Sequence, residues 1–222
     1  MCRPDGCSLT ADRRLLIADS ECYYGLVLPE LKLALSTRQP QRIYGGSRVP
    51  AAVLIPIYEK DEEHYVVFTE RTHRVSTHKG QISFPGGSRD PGDASLLDTA
   101  LRECQEEIGV PPEEVEVLGQ LDDCPTYVSN YLITPFVGAI RWPHAFTISE
   151  IETASIIEAA VSELLDRRCL AEGSEIVDGK TLPAYFYAHR EKVIWGATAR
   201  IIKQFLEIWQ AVAASSAPGG PK

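Results

Sequence analysis

The stretch Gly80–Val110, which reads GQISFPGGSRDPGDASLLDTALRECQEEIGV, decides how this chain folds. It predicts a short strand, a tight turn at Gly86–Gly87 and then one helix. Asp93 is the expected N-cap of the helix, and Gly109 is its expected C-terminal stop. Apolar residues that share one face at the helical period should face a core: Leu96, Leu97, Ala100, Leu101, Cys104 and Ile108.

Three glutamates crowd one edge of this predicted helix. Glu103 and Glu107 lie one turn apart beside the apolar face, and Glu106 lies further from it. Like charges this close cost stability unless a positive charge lies among them, and the stretch contains no lysine. Carboxylates suit a hard divalent cation such as Mg²⁺, whereas the alternative is an acidic helix face exposed to solvent.

The motif Gly87-x5-Asp93-x8-Arg102-Glu103-Cys104-x-Glu106-Glu107-x-Gly109-Val110 resembles the Nudix box, G-x5-E-x7-R-E-U-x-E-E-x-G-U, where U is apolar. The half that begins at Arg102 matches at every position. The other half has Asp93 in place of Glu, with one additional residue before Arg102. The resemblance implies an α/β protein with the Nudix fold, an α/β/α sandwich around a mixed β-sheet, with N-terminal and C-terminal helices.

Composition excludes several classes of protein. The chain has 222 residues and a net charge of −9, which argues against non-specific binding to nucleic acid. No apolar stretch approaches the roughly 20 residues of a membrane span, and no secretory signal opens the chain. We therefore expect a cytoplasmic protein without a membrane partner. The cysteines show neither metal-ligand spacing nor a disulfide framework and should be free thiols: Cys2, Cys7, Cys22, Cys104, Cys124 and Cys169.

Three regions are expected along the chain. Residues 1–47 form an N-terminal helical extension, with a helix after Pro29 that Pro40 ends. Residues 48–212 form the Nudix domain, and 213–222 form a flexible tail. Predicted strands cover 49–58, 64–70, 115–121 and 131–140, and Pro135 interrupts the last of them. A strand at Ile156–Ile157 and a short helix from Val161 are expected within 148–165, and a hairpin with its turn at Asp178–Gly179 is expected over 173–187. The last predicted element is a helix over 195–212, with an apolar stripe at Ala199, Ile202, Leu206 and Trp209.

A second resemblance narrows the substrate. The stretches Phe68–Arg71 and Thr77–Gly87 resemble the signature of coenzyme A diphosphatases, roughly L-L-T-x-R…H-x-G-Q-x-x-F-P-G-G, although Ser76 stands where many members carry Arg. Trp195–Arg200 resembles the bacterial branch. The resemblance implies hydrolysis of coenzyme A to 3′,5′-ADP and 4′-phosphopantetheine. Alternatives are a Nudix hydrolase for ADP-ribose or another nucleoside diphosphate derivative, and a Nudix-fold binding module without catalysis, which should lack the glutamates.

The family also implies roles for the residues around the metal. Glu103 and Glu107 would hold Mg²⁺ or Mn²⁺, which neutralises the pyrophosphate and lowers the pKa of a bound water. Glu106 would be a further ligand or would hold metal-bound water, and the Gly87 carbonyl would be the third protein ligand. Arg102 would orient the glutamates by ion pairing rather than touch the substrate.

Substrate contacts are expected from the basic loop that precedes the box. Arg71, Arg74 and Lys79 offer donors to the 3′-phosphate and the pyrophosphate, although a solvated loop is the alternative. By the same resemblance His78, Gln81 and Phe84 would contact the substrate. We also expect a small-molecule substrate and allow for a homodimer.

The general base is expected from a loop that follows the box. Glu152 aligns with a family glutamate when Ile156–Ile157 anchors the register, and Glu150 aligns if the register slips by two. Both could instead be solvated acids, in which case Glu106 is the next candidate.

Overall fold

The computed structural model describes residues 27–72, 80–177 and 179–216. The predictions for residues 1–26, for Arg74, Ser76, His78 and Lys79, for Asp178 and for 217–222 lie outside the described residues. In chain order the elements are α1 (Val27–Thr37), β1 (Val49–Lys60), β2 (Glu63–Arg71), β3 (Ile82–Ser83), β4 (Gly86–Ser88), α2 (Leu96–Ile108), a 3₁₀ turn (Pro112–Glu114), β5 (Val115–Gln120), β6 (Cys124–Pro125), β7 (Tyr131–Ile140), β8 (Thr153–Ala160), α3 (Val161–Leu165), β9 (Leu170–Val177), β10 (Lys180–His189), β11 (Lys192–Ile194) and α4 (Gly196–Ser216).

The main sheet is mixed, as predicted. Its path runs β3-β2-β1-β7-β5, while β4 pairs with β1, β6 with β7 and β8 with β2. Strands β1 and β7 are parallel, and the other pairs in this sheet are antiparallel. A second sheet contains β9, β10 and β11. The predicted hairpins 49–70 and 173–187 are both present, with Gly179 in the left-handed region at φ 73°.

Helices cover both faces of the main sheet. The predicted stripe of α4 is buried at Ala199, Ile202, Leu206 and Trp209, in the same core as residues of α1. The opposite face packs against Ala100, Cys104 and Ile108 of α2. Each large apolar side chain buried in this way contributes roughly 1.5–3 kcal/mol. The arrangement is the α/β/α sandwich that the sequence predicts.

Helix α1 lies closely on strand β5. Leu31 and Leu35 are buried, and a Cβ at Gly119 would lie 2.5 Å from the Leu35 Cβ. The described part of the helix already includes Val27, whereas the sequence predicts a helix after Pro29. Proline is tolerated in the first turn because its missing N–H has no helical acceptor there. No helix in the described ranges is long and apolar enough to cross a bilayer.

The N-cap prediction for α2 is wrong, although its C-terminal stop is confirmed. Ser95, not Asp93, caps the helix, since the Asp98 N–H donates to the Ser95 hydroxyl at 3.2 Å and the Ser95 N–H donates to the Asp98 carboxylate at 2.8 Å. Asp93 is engaged elsewhere, as described below. Gly109 ends the helix at φ 74° and donates its N–H to the Gln105 carbonyl.

Two further boundaries differ from the prediction. Strand β7 runs without interruption through Pro135, which lies opposite Val53 of β1. Proline removes one donor only, and its carbonyl still accepts from the Leu121 N–H at 2.9 Å. Helix α4 continues to Ser216, so residues 213–216 are helical and not part of a flexible tail. Strand β8 and helix α3 confirm the strand and the short helix that were predicted within residues 148–165.

Candidate active site

Three carboxylates meet beside helix α2. Glu107 is buried at 3% exposure, Glu103 is half-buried, and Glu152 is an exposed residue of the loop that precedes β8. One oxygen of each of the three lies within 4.8 Å of the others. Carboxylate oxygens this close repel each other unless a cation or a proton lies between them. The arrangement is therefore a candidate site for a hard divalent cation.

Hydrogen bonds at both ends hold the loop that carries Glu152. The Ser149 N–H donates to the Glu107 carbonyl at 3.2 Å, which satisfies one of the last carbonyls of α2. At the end of β2, the Thr72 N–H donates to the Glu152 carbonyl at 2.9 Å, and its hydroxyl donates to the Ile151 carbonyl at 2.8 Å. The Glu152 carboxylate is thus brought to the edge of α2 by backbone contacts.

Burial changes the ionisation of the two helical glutamates. Burial raises the pKa of Glu107 to about 8, an effect that the nearby Arg71 opposes and that Glu103 reinforces. The pKa of Glu103 is also raised, chiefly by burial, while Arg102 acts in the opposite direction. Thr69 donates its hydroxyl to Glu107 at 3.3 Å. These acids hold protons more tightly than solvated ones, so a bound cation would compete with protons for them.

Arg102 connects four parts of the motif. Its guanidinium donates to Asp93 at 3.1 and 3.2 Å, to Glu103 at 3.0 Å and to Glu106 at 3.1 Å, and reaches the Ser88 carbonyl at 3.4 Å. The shorter Asp93 still reaches the arginine despite the additional residue in the box. The hydrogen bonds from Arg102 hold the pKa of Asp93 well below its usual range.

Glu106 is placed differently from the other two glutamates of the helix. Its side chain is 58% exposed, pairs with Arg102 and lies outside the group of three carboxylates. Its role as a further metal ligand stays a prediction. Glu150 is likewise exposed and outside that group, whereas Glu152 belongs to it.

Gly87 lies directly against the acids. It pairs with Ala52 in the sheet, and a Cβ at this position would be 2.4 Å from Oε1 of Glu103. Any side chain at Gly87 would displace the glutamate. The glycine therefore allows strand β4 and helix α2 to approach each other at the site.

The acids open into a cavity of about 690 Å³. Arg71, Gln81 and Phe84, which the sequence predicts as substrate contacts, line it together with Glu103, Glu107, Glu152 and Gly87. Phe84 is buried and stacks on Phe68 with ring centroids 4.7 Å apart. The other predicted contacts, Arg74, His78 and Lys79, lie outside the described residues.

Further lining residues come from segments that the sequence did not identify as sites. Tyr127 and neighbouring residues of the 126–129 loop line the cavity, as do Trp195, which directly precedes α4, and Arg200 of α4. Thr69 belongs to the stretch that resembles the coenzyme A signature, and Arg200 belongs to the stretch Trp195–Arg200, but neither resemblance gives these two residues a role. Nothing in the sequence around Tyr127 indicates its position in the cavity.

A family model and several named proteins are similar to this chain. The NUDIX domain model matches residues 48–165. A Photorhabdus laumondii protein named "Uncharacterized Nudix hydrolase NudL" is 38% identical over 169 residues, which cover 76% of this chain and 88% of the relative. A Yersinia enterocolitica protein of the same name is 34% identical over 184 residues, with 82% and 93% covered.

Two solved structures are similar to this chain at lower sequence identity. A MutT/nudix family protein from Enterococcus faecalis gives a TM-score of 0.49 at 14% identity and covers 93% of this chain and 76% of its own. The NUDIX domain of Shewanella oneidensis NrtR complexed with ADP ribose gives 0.42 at 19% identity, with 60% and 84% covered.

Proposed function

The chain belongs to the Nudix hydrolase family, and from that premise we propose that it hydrolyses the pyrophosphate bond of coenzyme A to 3′,5′-ADP and 4′-phosphopantetheine. Family membership makes it a pyrophosphatase that acts on a nucleoside diphosphate derivative. One observation carries the choice of coenzyme A. Arg71, Gln81 and Phe84, all from stretches that resemble the coenzyme A diphosphatase signature, line the same cavity as Glu103 and Glu107.

The acidic group fits a divalent cation. Its oxygens converge within 4.8 Å, and burial of Glu107 leaves a charge that water cannot solvate well. Glu103 and Glu107 would hold Mg²⁺ or Mn²⁺, with the Gly87 carbonyl as a further candidate because it belongs to the residue that lies against Glu103. When bound, the ion supplies positive charge to the pyrophosphate oxygens and lowers the pKa of the attacking water.

The residues of the chain position the reactants. Hydrolysis forms a bond from the water oxygen to one phosphorus and breaks the bond from that phosphorus to the bridging oxygen. Arg71 lies near Glu107 and donates to pyrophosphate oxygens, which reduces repulsion between the substrate and the acids. Glu152, exposed at the rim, accepts the proton of the attacking water. Arg102 and Thr69 hold Glu103 and Glu107 by the hydrogen bonds described above.

A substrate panel tests the proposal. Purified protein is incubated with Mg²⁺ or Mn²⁺ and with coenzyme A, dephospho-coenzyme A or ADP-ribose, and the products are identified by mass. We expect the highest kcat/KM with coenzyme A, products of the masses of 3′,5′-ADP and 4′-phosphopantetheine, and loss of turnover with EDTA. A preference for ADP-ribose would overturn the choice of coenzyme A and leave the pyrophosphatase activity in place.

A further inference from the structure

Two partly buried arginines of the described chain, Arg71 and Arg200, have no carboxylate within ion-pairing distance among the described residues, and both line the cavity. The other partly buried arginines, Arg38 and Arg102, pair with aspartates at 2.7 and 3.1 Å. A guanidinium stays charged at all physiological pH values. Partial burial without a counter-anion therefore costs free energy, which an anionic ligand would offset.

Arg200 is held in a fixed orientation by two contacts. One terminal nitrogen donates to the Pro125 carbonyl at 2.8 Å, and the guanidinium carbon lies 4.5 Å from the ring centroid of Tyr127. Its buried Nε has no partner among the described residues. The protein thus uses only part of the donor capacity of this side chain, and the planar fork remains suited to a phosphate.

The two arginines serve different ends of the cavity. Arg71 lies between Thr69, whose hydroxyl donates to Glu107, and Thr72, whose N–H donates to the Glu152 carbonyl. Arg200 instead contacts the Pro125 carbonyl and the Tyr127 ring, and among the described residues it makes no hydrogen bond or ion pair with Glu103 or Glu107. A pyrophosphate beside the acids would therefore be near Arg71, and Arg200 would meet a different part of the same ligand.

We propose that Arg200 binds a phosphomonoester of the substrate that lies away from the scissile pyrophosphate. In coenzyme A this group is the 3′-phosphate, so the inference rests on the proposed function. Sequence reasoning assigned both the 3′-phosphate and the pyrophosphate to the basic loop, and Arg71 of that loop lies with the acids. A phosphate accepts two parallel hydrogen bonds from a guanidinium, which gives both affinity and orientation.

The first test compares two substrates that differ only in the 3′-phosphate. Arg200→Met keeps most of the side-chain length and removes the charge. The ratio of kcat/KM for coenzyme A to kcat/KM for dephospho-coenzyme A should fall roughly 10-fold or more, as expected for a lost charged hydrogen bond. Lys203→Met is the matched control, because Lys203 lies on the same helix, pairs with Glu207 and is not among the described lining residues. The control should leave the ratio within about twofold of the wild type, since it touches no substrate group.

A second readout is product inhibition, which can be measured with any substrate that the variant still hydrolyses. Arg200→Met should raise the inhibition constant of 3′,5′-ADP by roughly 10-fold and leave that of AMP unchanged. Arg200→Lys keeps the charge, loses the planar fork of the guanidinium and should give intermediate inhibition constants. If circular dichroism shows that the Met variant does not fold, the Lys variant takes its place in the test. Equal effects on both substrates, or none, would overturn the inference while the proposed function stands. Absence of coenzyme A hydrolysis by the wild-type enzyme would overturn both.

Discussion

The two ends of the cavity are built in different ways. The acidic end takes Glu103 and Glu107 from one helix, and hydrogen bonds from Arg102 and Thr69 hold their carboxylates. The other end joins Arg200 of α4 to the 126–129 loop through a contact between segments distant in sequence. The first end holds the acids of the proposed reaction, whereas the role proposed for the second end is the choice of substrate.

The largest effect should come from the most buried acid. Glu107→Gln keeps the shape of the side chain and removes its charge, so kcat should fall by a factor of roughly 10² or more with the fold intact. Steady-state kinetics with saturating Mg²⁺ and circular dichroism would measure this. The control is Glu113→Gln, since Glu113 is exposed, lies just after the same helix and is outside the acidic group. Near-normal turnover of the Glu107 variant would remove the acidic end from the chemistry.

A smaller effect on turnover is expected at the loop. Glu152→Gln should lower kcat by roughly 10- to 100-fold and remove the acidic limb of the pH–rate profile, because the proton acceptor is lost. Glu150→Gln, two residues away on the same loop and outside the acidic group, is the matched control and should keep the wild-type profile. If added Mg²⁺ or Mn²⁺ restores the Glu152 variant, Glu152 acts as a metal ligand and not as the base.

Arg71 offers a direct contrast with Arg200. Arg71→Ala should raise KM by roughly 10-fold for coenzyme A and for dephospho-coenzyme A alike, since both substrates carry the pyrophosphate that this residue would contact. Initial rates over a range of both substrates would measure the two KM values. A selective loss for coenzyme A would place the 3′-phosphate at Arg71 and would reverse the assignment of the two ends.

The smallest effect concerns stability without metal. The pKa of Glu107 is raised to about 8, so the folded protein keeps a proton that the unfolded chain releases near the ordinary value of a glutamate. Stability should therefore fall as pH rises through this window, by on the order of 1 kcal/mol per pH unit at most. Urea unfolding in EDTA between about pH 5.5 and 7.5 should show this slope in the wild type and a weaker one in Glu107→Gln. Equal slopes would mean that Glu107 is solvated in the folded protein.

The sequence predicted the acidic end well because one contiguous motif encodes it. Helix α2, its stop at Gly109 and the convergence of Glu103 with Glu107 follow from periodicity and glycine chemistry. The cap prediction failed because Asp93 and Ser95 are both good caps, and the tertiary contact with Arg102 engages Asp93. The predicted interruption of the strand at Pro135 was wrong, because the Pro135 carbonyl accepts a hydrogen bond in the sheet and no N–H donor is needed at this position.

The rest of the cavity depends on contacts that no local pattern encodes. The loop bearing Glu152 was placed only by aligning Ile156–Ile157 with the family, and hydrogen bonds to α2 and Thr72 bring it to the site. Tyr127 meets Arg200 because β6 and α4 pack together in the folded chain. Neither Tyr127 nor Arg200 carries a periodic or turn signal in the sequence that would predict their contact.

The contact between Gly87 and Glu103 ties the evolutionary fate of the two positions together. The backbone of Gly87 is not in the left-handed region, so the glycine is required here by the space that the glutamate occupies. In a descendant that loses Glu103 to a small residue, this requirement disappears and position 87 becomes free to drift. Among diverging relatives, glycine at 87 and glutamate at 103 should therefore disappear as a pair, and a glycine kept without its acid would point to a second constraint on strand β4.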